Sequence, residues 1–248
     1  MDEHIYNYRF KVTQHSVENI KIVEIREFNH LIKVKENFDT NGPIKIQDIV
    51  ESVDDTIEEE YLHYVIIYHD NSCNTEKLKS LIDEYKKEAI CVIGCCSNQT
   101  ETSSLFSEIK NSFDLYCSHP CSEEDLENLL DLLLSVQTGL THGFPEDIKD
   151  FRKNKTNNFF SIKYATCSNM NELSKTFTKL IYENNNNSES CSFRKRYYLS
   201  IFCNEDKSNS EKVDNFLRNY EYKNDETLMY TMVVDNSFDN PKLIVLCS

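Results

Sequence analysis

The chain has 248 residues, of which 39% are hydrophobic and 28% charged, and a formal net charge of -15. That length fits one large or two small domains with room for a core, and the composition suits a folded chain rather than a disordered one. The negative balance repels phosphate backbones and anionic headgroups, so neither nucleic acid nor a membrane surface is expected as a partner.

Residues 5–13 and 20–34 are rich in β-branched and aromatic side chains and predict two or three strands. Asn41-Gly42-Pro43 is a turn signal. Over 47–60, Ile49, Val50, Val53 and Ile57 recur at helical spacing among acids, which predicts an amphipathic helix. The continuous apolar run at 64–68 predicts a strand buried on both faces. A helix follows over 75–88, a second buried strand over 89–95, a helix over 102–111 and a third strand over 113–118. Strands alternating with helices at these intervals imply a parallel α/β sheet.

The clearest helix spans 122–138. Ser122 with Asp125 three residues on is an N-cap pattern, and the interior is apolar on most of its circumference, as in a helix buried between two layers. Gly139 is placed to end it. Beyond 155 a strand (159–165), a helix (171–182), a strand (197–203), a helix (209–220) and two strands (228–235 and 242–247) predict a small α+β domain with a four-stranded sheet and two helices. The polar connection 236–241 has the composition of a hairpin loop.

Glycine is scarce. Only Gly42, Gly94, Gly139 and Gly143 occur, against an average usage of ~7%. Phosphate-cradling loops depend on glycine, because a backbone without Cβ lets its N–H groups close on the anion. No apolar run approaches the ~20 residues that span a bilayer, and Met1-Asp2-Glu3-His4 does not open a secretory signal. With cysteines embedded in strand-like runs, the expectation is a cytoplasmic protein holding reduced thiols as small hydrophobes.

The segment Gly139-Leu140-Thr141-His142-Gly143-Phe144-Pro145-Glu146-Asp147-Ile148-Lys149 resembles, without a gap, the loop G-L-I-N-V-D-F-A-D-V-K that follows the core helix in FtsZ. Leu126, Leu130, Leu133 and Val136 stand at that helix's apolar positions. The order of elements over roughly 45–248 is similar to the tubulin/FtsZ family throughout. This resemblance implies a truncated, Rossmann-like parallel-sheet domain over 1–121. A long buried core helix over 122–138, a post-helix loop over 139–154 and an α+β domain over 155–248 follow.

The departures from the family pattern are chemical. After the strand ending at Tyr68 the family carries G-G-G-T-G-T-G, whereas this chain has His69-Asp70-Asn71-Ser72-Cys73-Asn74-Thr75. Without glycine, φ > 0 costs about 1–2 kcal/mol per residue, and Asp70 adds negative charge where phosphates would lie. Between Thr13 and Ile20 there is no room for the family's first loop and helix. Of the two family aspartates that act on a neighbouring subunit's nucleotide, one corresponds to Phe144 and the other to Asp147, while His142 replaces an asparagine. Asp147 also suits an ordinary acidic helix start.

These features imply a protein without GTP hydrolysis by the family mechanism, with no catalytic residues, no nucleotide and no cofactor. It would act through a protein partner or self-association, as a filament-related scaffold or regulator. Interface candidates are His142, Phe144 and Asp147. The alternative is a metal or redox site from Cys95, Cys96, Cys117, His119 and Cys121, which a parallel sheet would gather at its C-terminal edge, although their spacing matches no common zinc motif.

Overall fold

In the computed structural model the described residues are 2–6, 10–34, 53–98, 104–138, 145–151, 158–182, 195–220 and 226–248. The chain opens with an antiparallel ribbon of β1 (Asp2–Tyr6), β2 (Phe10–Val17) and β3 (Ile20–Val34). The β2–β3 turn is tight, and Glu18 takes φ 55° to make it. No helix fits between these strands, as the sequence implied.

β4 (Val53–His69) pairs with β3 from Lys21↔Tyr68 to Val34↔Val53, with a bulge between Ile25 and Arg26. The helix expected over 47–60 is therefore corrected: 53–60 is strand, and 47–52 lies outside the described residues. Val53 and Ile57 do fit a helical period, but β3 supplies a ladder partner along the whole of β4. Ladder hydrogen bonds to a distant segment override a local periodicity.

The centre of the fold is parallel. β4 is followed by α1 (Thr75–Tyr85), β5 (Cys91–Cys96), α2 (Ser104–Ser112) and β6 (Leu115–Cys117). Then come α3 (Glu123–Thr138), α4 (Pro145–Asp150) and β7 (Phe159–Thr166). β4, β5, β6 and β7 are successive parallel neighbours. Every residue of β5 is buried, as its unbroken apolar run requires. One face packs on α1 and α2 through Leu78, Ile82 and Ile109; the other packs on α3 through Leu126, Leu129 and Leu133.

Ser122 caps α3. Its Oγ accepts from the Asp125 N–H at 3.1 Å, while the Asp125 carboxylate accepts from the Ser122 N–H at 2.8 Å, a reciprocal capping box. Leu132, Leu133, Leu134, Ser135 and Val136 are all buried, so this stretch of five residues has no solvent face. The remaining elements are α5 (Leu173–Tyr182), β8 (Lys195–Cys203), α6 (Lys207–Asn219), β9 (Glu226–Val234) and β10 (Lys242–Cys247).

The strand order here is β7-β10-β8-β9, and β8 and β9 are parallel. The hairpin expected between the last two strands is thus a crossover past β8. Burial explains the choice: Leu243, Ile244, Val245 and Leu246 are all buried, whereas β9 is half-buried along most of its length. The fully apolar strand takes the centre and the mixed one the edge. α5 and α6 cover one face, where Phe177 packs on Phe216 and on Tyr197 of β8. α3 crosses the other, where the Ser135 and Ser200 hydroxyls meet at 2.6 Å and the Thr231 hydroxyl donates to the Ser135 carbonyl.

Candidate functional site

Open α/β sheets present ligand sites beyond the C-terminal ends of parallel strands. Here that edge holds the loop from His69 to Thr75. The Asp70 carboxylate accepts from the Ser72 N–H at 2.8 Å and the Ser72 hydroxyl at 2.7 Å, and the Cys73 N–H donates to the Asp70 carbonyl. Asn74 then caps α1, its Oδ1 accepting from the Glu76 and Lys77 N–H groups at 3.0 and 3.1 Å. Among the described non-glycine residues only Glu18 has positive φ, so this loop does not form the alternating-handed nest that wraps an anion. Its amides close on the chain's own Asp70 and Asn74.

His69 is buried beneath the loop. The Asp70 carbonyl, 3.2 Å from Nδ1, can only accept, so Nδ1 carries the proton and Nε2 accepts from the Tyr116 hydroxyl at 3.3 Å. Burial holds the imidazole below its ordinary pKa and therefore neutral. The Cys73 thiol lies 3.8 Å from Nδ1, but burial, with Asp70 and Cys96 nearby, pushes it up to about 11. A histidine that already donates to a carbonyl cannot take that thiol's proton, so the pair is not an activated nucleophile. Cys96 reaches the Asn71 Oδ1 at 3.5 Å from the neighbouring strand.

The space under this loop is filled by rings. His69 stacks on Phe113 with centroids 6.4 Å apart, and Phe113 lies 5.4 Å from Tyr116. Gly94 makes room for them: a Cβ there would lie 2.5 Å from Tyr116 Cδ2 and 2.9 Å from Phe113. The one glycine of the parallel strands serves ring packing rather than a phosphate. The only sequence signal for this trio is Gly94 itself, since a glycine inside a continuous apolar run marks a close approach.

The cysteine expectation divides by face. Cys95, Cys117 and Cys121 share the α3 side of the sheet, while Cys96 belongs to the α1–α2 side. Cys117 and Cys121 share a hydrogen bond, as do Cys121 and Cys95, and Cys117 Sγ lies 3.7 Å from His119 Nδ1. The bond to Cys121 and burial raise the Cys117 thiol strongly. At Cys95 the bond to Cys121 works downward, but burial and the neighbouring thiols prevail and raise it. Cys121 is raised as well, its bond to Cys117 being outweighed by the bond to Cys95 and by burial. Such thiols are poor nucleophiles at neutral pH. Among the described residues no group of three or more His, Cys, Asp or Glu side chains could hold a metal ion, and each described cysteine is a free thiol. The metal alternative is not supported.

Of the interface candidates, His142 and Phe144 lie outside the described residues. Asp147 sits in the first turn of α4 with Pro145 and Glu146, the acidic start the sequence predicted. It is half-buried, and its charge adds to burial in raising the Tyr198 phenol on β8.

No protein-family model and no curated protein matches the chain. Among solved structures, CetZ from Methanosaeta thermophila is similar at TM-score 0.48 and 9% identity, over 76% of this chain and 62% of that one. GDP-form TubZ protofilaments of Bacillus thuringiensis serovar israelensis give TM-score 0.45 and 11% identity, over 75% and 61%. GDP-bound CetZ1 from Haloferax volcanii gives 0.43 and 8%, over 75% and 64%. This chain spans about six tenths of the length of the structures it matches, 62% and 61% for the first two. The likeness is one of overall chain trace alone.

Proposed function

We propose that this chain is a divergent relative of the tubulin/FtsZ family that works by protein–protein contact, through self-association or on a partner filament, without a GTP cycle. The observation that carries the reading is the Asp70 turn. At the position where the sequence resemblance puts a phosphate loop, a carboxylate of the chain accepts the amide and hydroxyl of Ser72, and the next amides are capped by Asn74. An incoming phosphate would have to break these bonds and approach a fixed negative charge at close range. His69, Phe113 and Tyr116 fill the space behind, and Gly94 is committed to them.

Titration of the full chain with a fluorescent GTP analogue and with GTP by calorimetry tests this, alongside sedimentation with and without nucleotide. The expected result is no saturable binding up to millimolar GTP, and sedimentation that depends on protein concentration or an added partner but not on nucleotide. Saturable micromolar binding would overturn the reading.

A further inference from the structure

β7 has an edge that the sheet uses only in part. β6 pairs with it through Tyr116↔Phe159 and Cys117↔Phe160, while β10 runs beside it from Cys247↔Ser161 to Lys242↔Thr166. The Ser118 N–H donates to the Phe160 carbonyl on the β6 side, and the Cys167 N–H to the Pro241 carbonyl on the β10 side. Backbone groups of successive strand residues point to opposite edges. Ile162, Tyr164 and Thr166 therefore direct their N–H and C=O groups away from β10, beyond the end of β6. Among the described residues no strand pairs with them there.

Two cavities flank this edge, of about 580 Å³ against α3 and about 450 Å³ against α5, and Tyr164, Ala165 and Thr166 line both. The α3 side is built for a donor. Glu124, Glu127, Asn128 and Asp131 line it from one helix face, with Lys242 opposite. The Lys242 ammonium is paired with Asp131 at 2.9 Å, which leaves carboxylate charge in excess. Asn128 is only 3% exposed. Its Nδ2 donates to the Glu124 carbonyl at 2.7 Å, and its Oδ1 is buried with no donor. Buried acceptors are nearly always satisfied, so an open one lining an acidic cavity marks where a donor is missing.

We propose that this groove takes up an extended segment of a partner polypeptide, laid along the open edge of β7 as an added strand, with a Lys or Arg side chain reaching Asn128 Oδ1 among the α3 carboxylates. Main-chain bonds to Ile162, Tyr164 and Thr166 supply affinity, and the alternation of the added strand sends every second side chain toward α3. The charge of the lining selects a basic residue there and disfavours an acidic partner, a second copy of this -15 chain included. The inference uses a different face from the loop after β4 and does not depend on the nucleotide-free reading.

The test is to pan a random decapeptide library against the immobilised full chain and measure the enriched peptides by fluorescence anisotropy. The expected consensus has one Lys or Arg in a β-branched background. Binding should fall at least tenfold in the double variant Glu124→Lys, Glu127→Lys, and severalfold in Thr166→Pro, which removes an open-edge N–H and leaves the β10 ladder intact. Hydrogen exchange of the bound chain should slow at Ile162, Tyr164 and Thr166. Unchanged urea midpoints establish that both variants are folded. A library that yields no basic consensus, or an affinity that either substitution leaves unchanged, overturns the proposal.

Discussion

The Asp70 carboxylate holds both the backbone N–H and the hydroxyl of Ser72, at 2.8 and 2.7 Å, in the turn that leaves β4. The Ser72 hydroxyl bond is the main reason that the Asp70 carboxyl lies below its usual range. A carboxyl depressed in the native state contributes stability that is complete above its unfolded pKa, about 3.9, and lost as pH falls through the native value. Asp70→Ala should therefore lower stability by about 0.5–1.5 kcal/mol at neutral pH, and the difference from wild type should shrink below pH ~4. Urea unfolding at pH 7 and pH 3 measures both.

Gly94→Ala should destabilise without altering the surface. The new methyl would sit 2.5 Å from a Tyr116 ring carbon and 2.9 Å from Phe113, and overpacking of this kind costs about 1–3 kcal/mol. For a chain of this size that is roughly 2–4 °C of melting temperature per kcal/mol. Phe113→Leu in the same chain should recover part of the loss, so the two changes will be non-additive in thermal denaturation.

The neutral His69 should give stability a positive slope in mildly acidic solution. Burial lowers its native pKa, so between that value and the unfolded ~6.5 the unfolded chain binds the extra proton and acid favours unfolding. Above ~6.5 the effect is absent. His119 works in the opposite sense: its hydrogen bond to Cys117 raises its pKa, a stabilisation present below ~6.5 and lost as pH rises through the native value. The difference between wild type and His69→Gln, followed by urea midpoints from pH 5 to 7.5, isolates the His69 contribution. A difference independent of pH would remove the assignment.

Alkylation should sort the thiols by position. Cys95, Cys117 and Cys121 are buried and shifted upward, while Cys247 is only half-buried. Iodoacetamide at pH 8 should label Cys247 well before those three, which should react only after unfolding; peptide mass spectrometry gives the order. Early labelling of Cys117 or Cys121 would revive the redox alternative.

Much of the candidate site is legible in the residues themselves. The glycine-free loop, Asp70 within it, and the meeting of β5 and β6 at one edge follow from residue types and from strands alternating with helices. The rings that fill the space behind the loop are not, because Phe113 and Tyr116 reach His69 across two strand crossings, and no local pattern encodes that meeting. The thiols are foreseeable as a set, but their division by face, with Cys95 on one side and Cys96 on the other, needs the sheet in place.

The sequence alone determined the elements whose signals are local. The short apolar runs in β4 and β5, bounded by polar segments, read as strands buried on both faces. The Ser122–Asp125 box starts α3, and the stretch His69–Thr75 after β4 holds no glycine. Tertiary structure decided what depends on a distant partner. β3 drew residues 53–60 out of a helical pattern into a strand, and β10 entered between β7 and β8 instead of folding back on β9. Among the described residues, β7 is left unpaired on one edge beyond Phe160 because β6 ends two pairs into it. Helix caps and buried runs are set by neighbours a few residues away, whereas strand order and strand edges are set by hydrogen bonds between segments far apart in the chain.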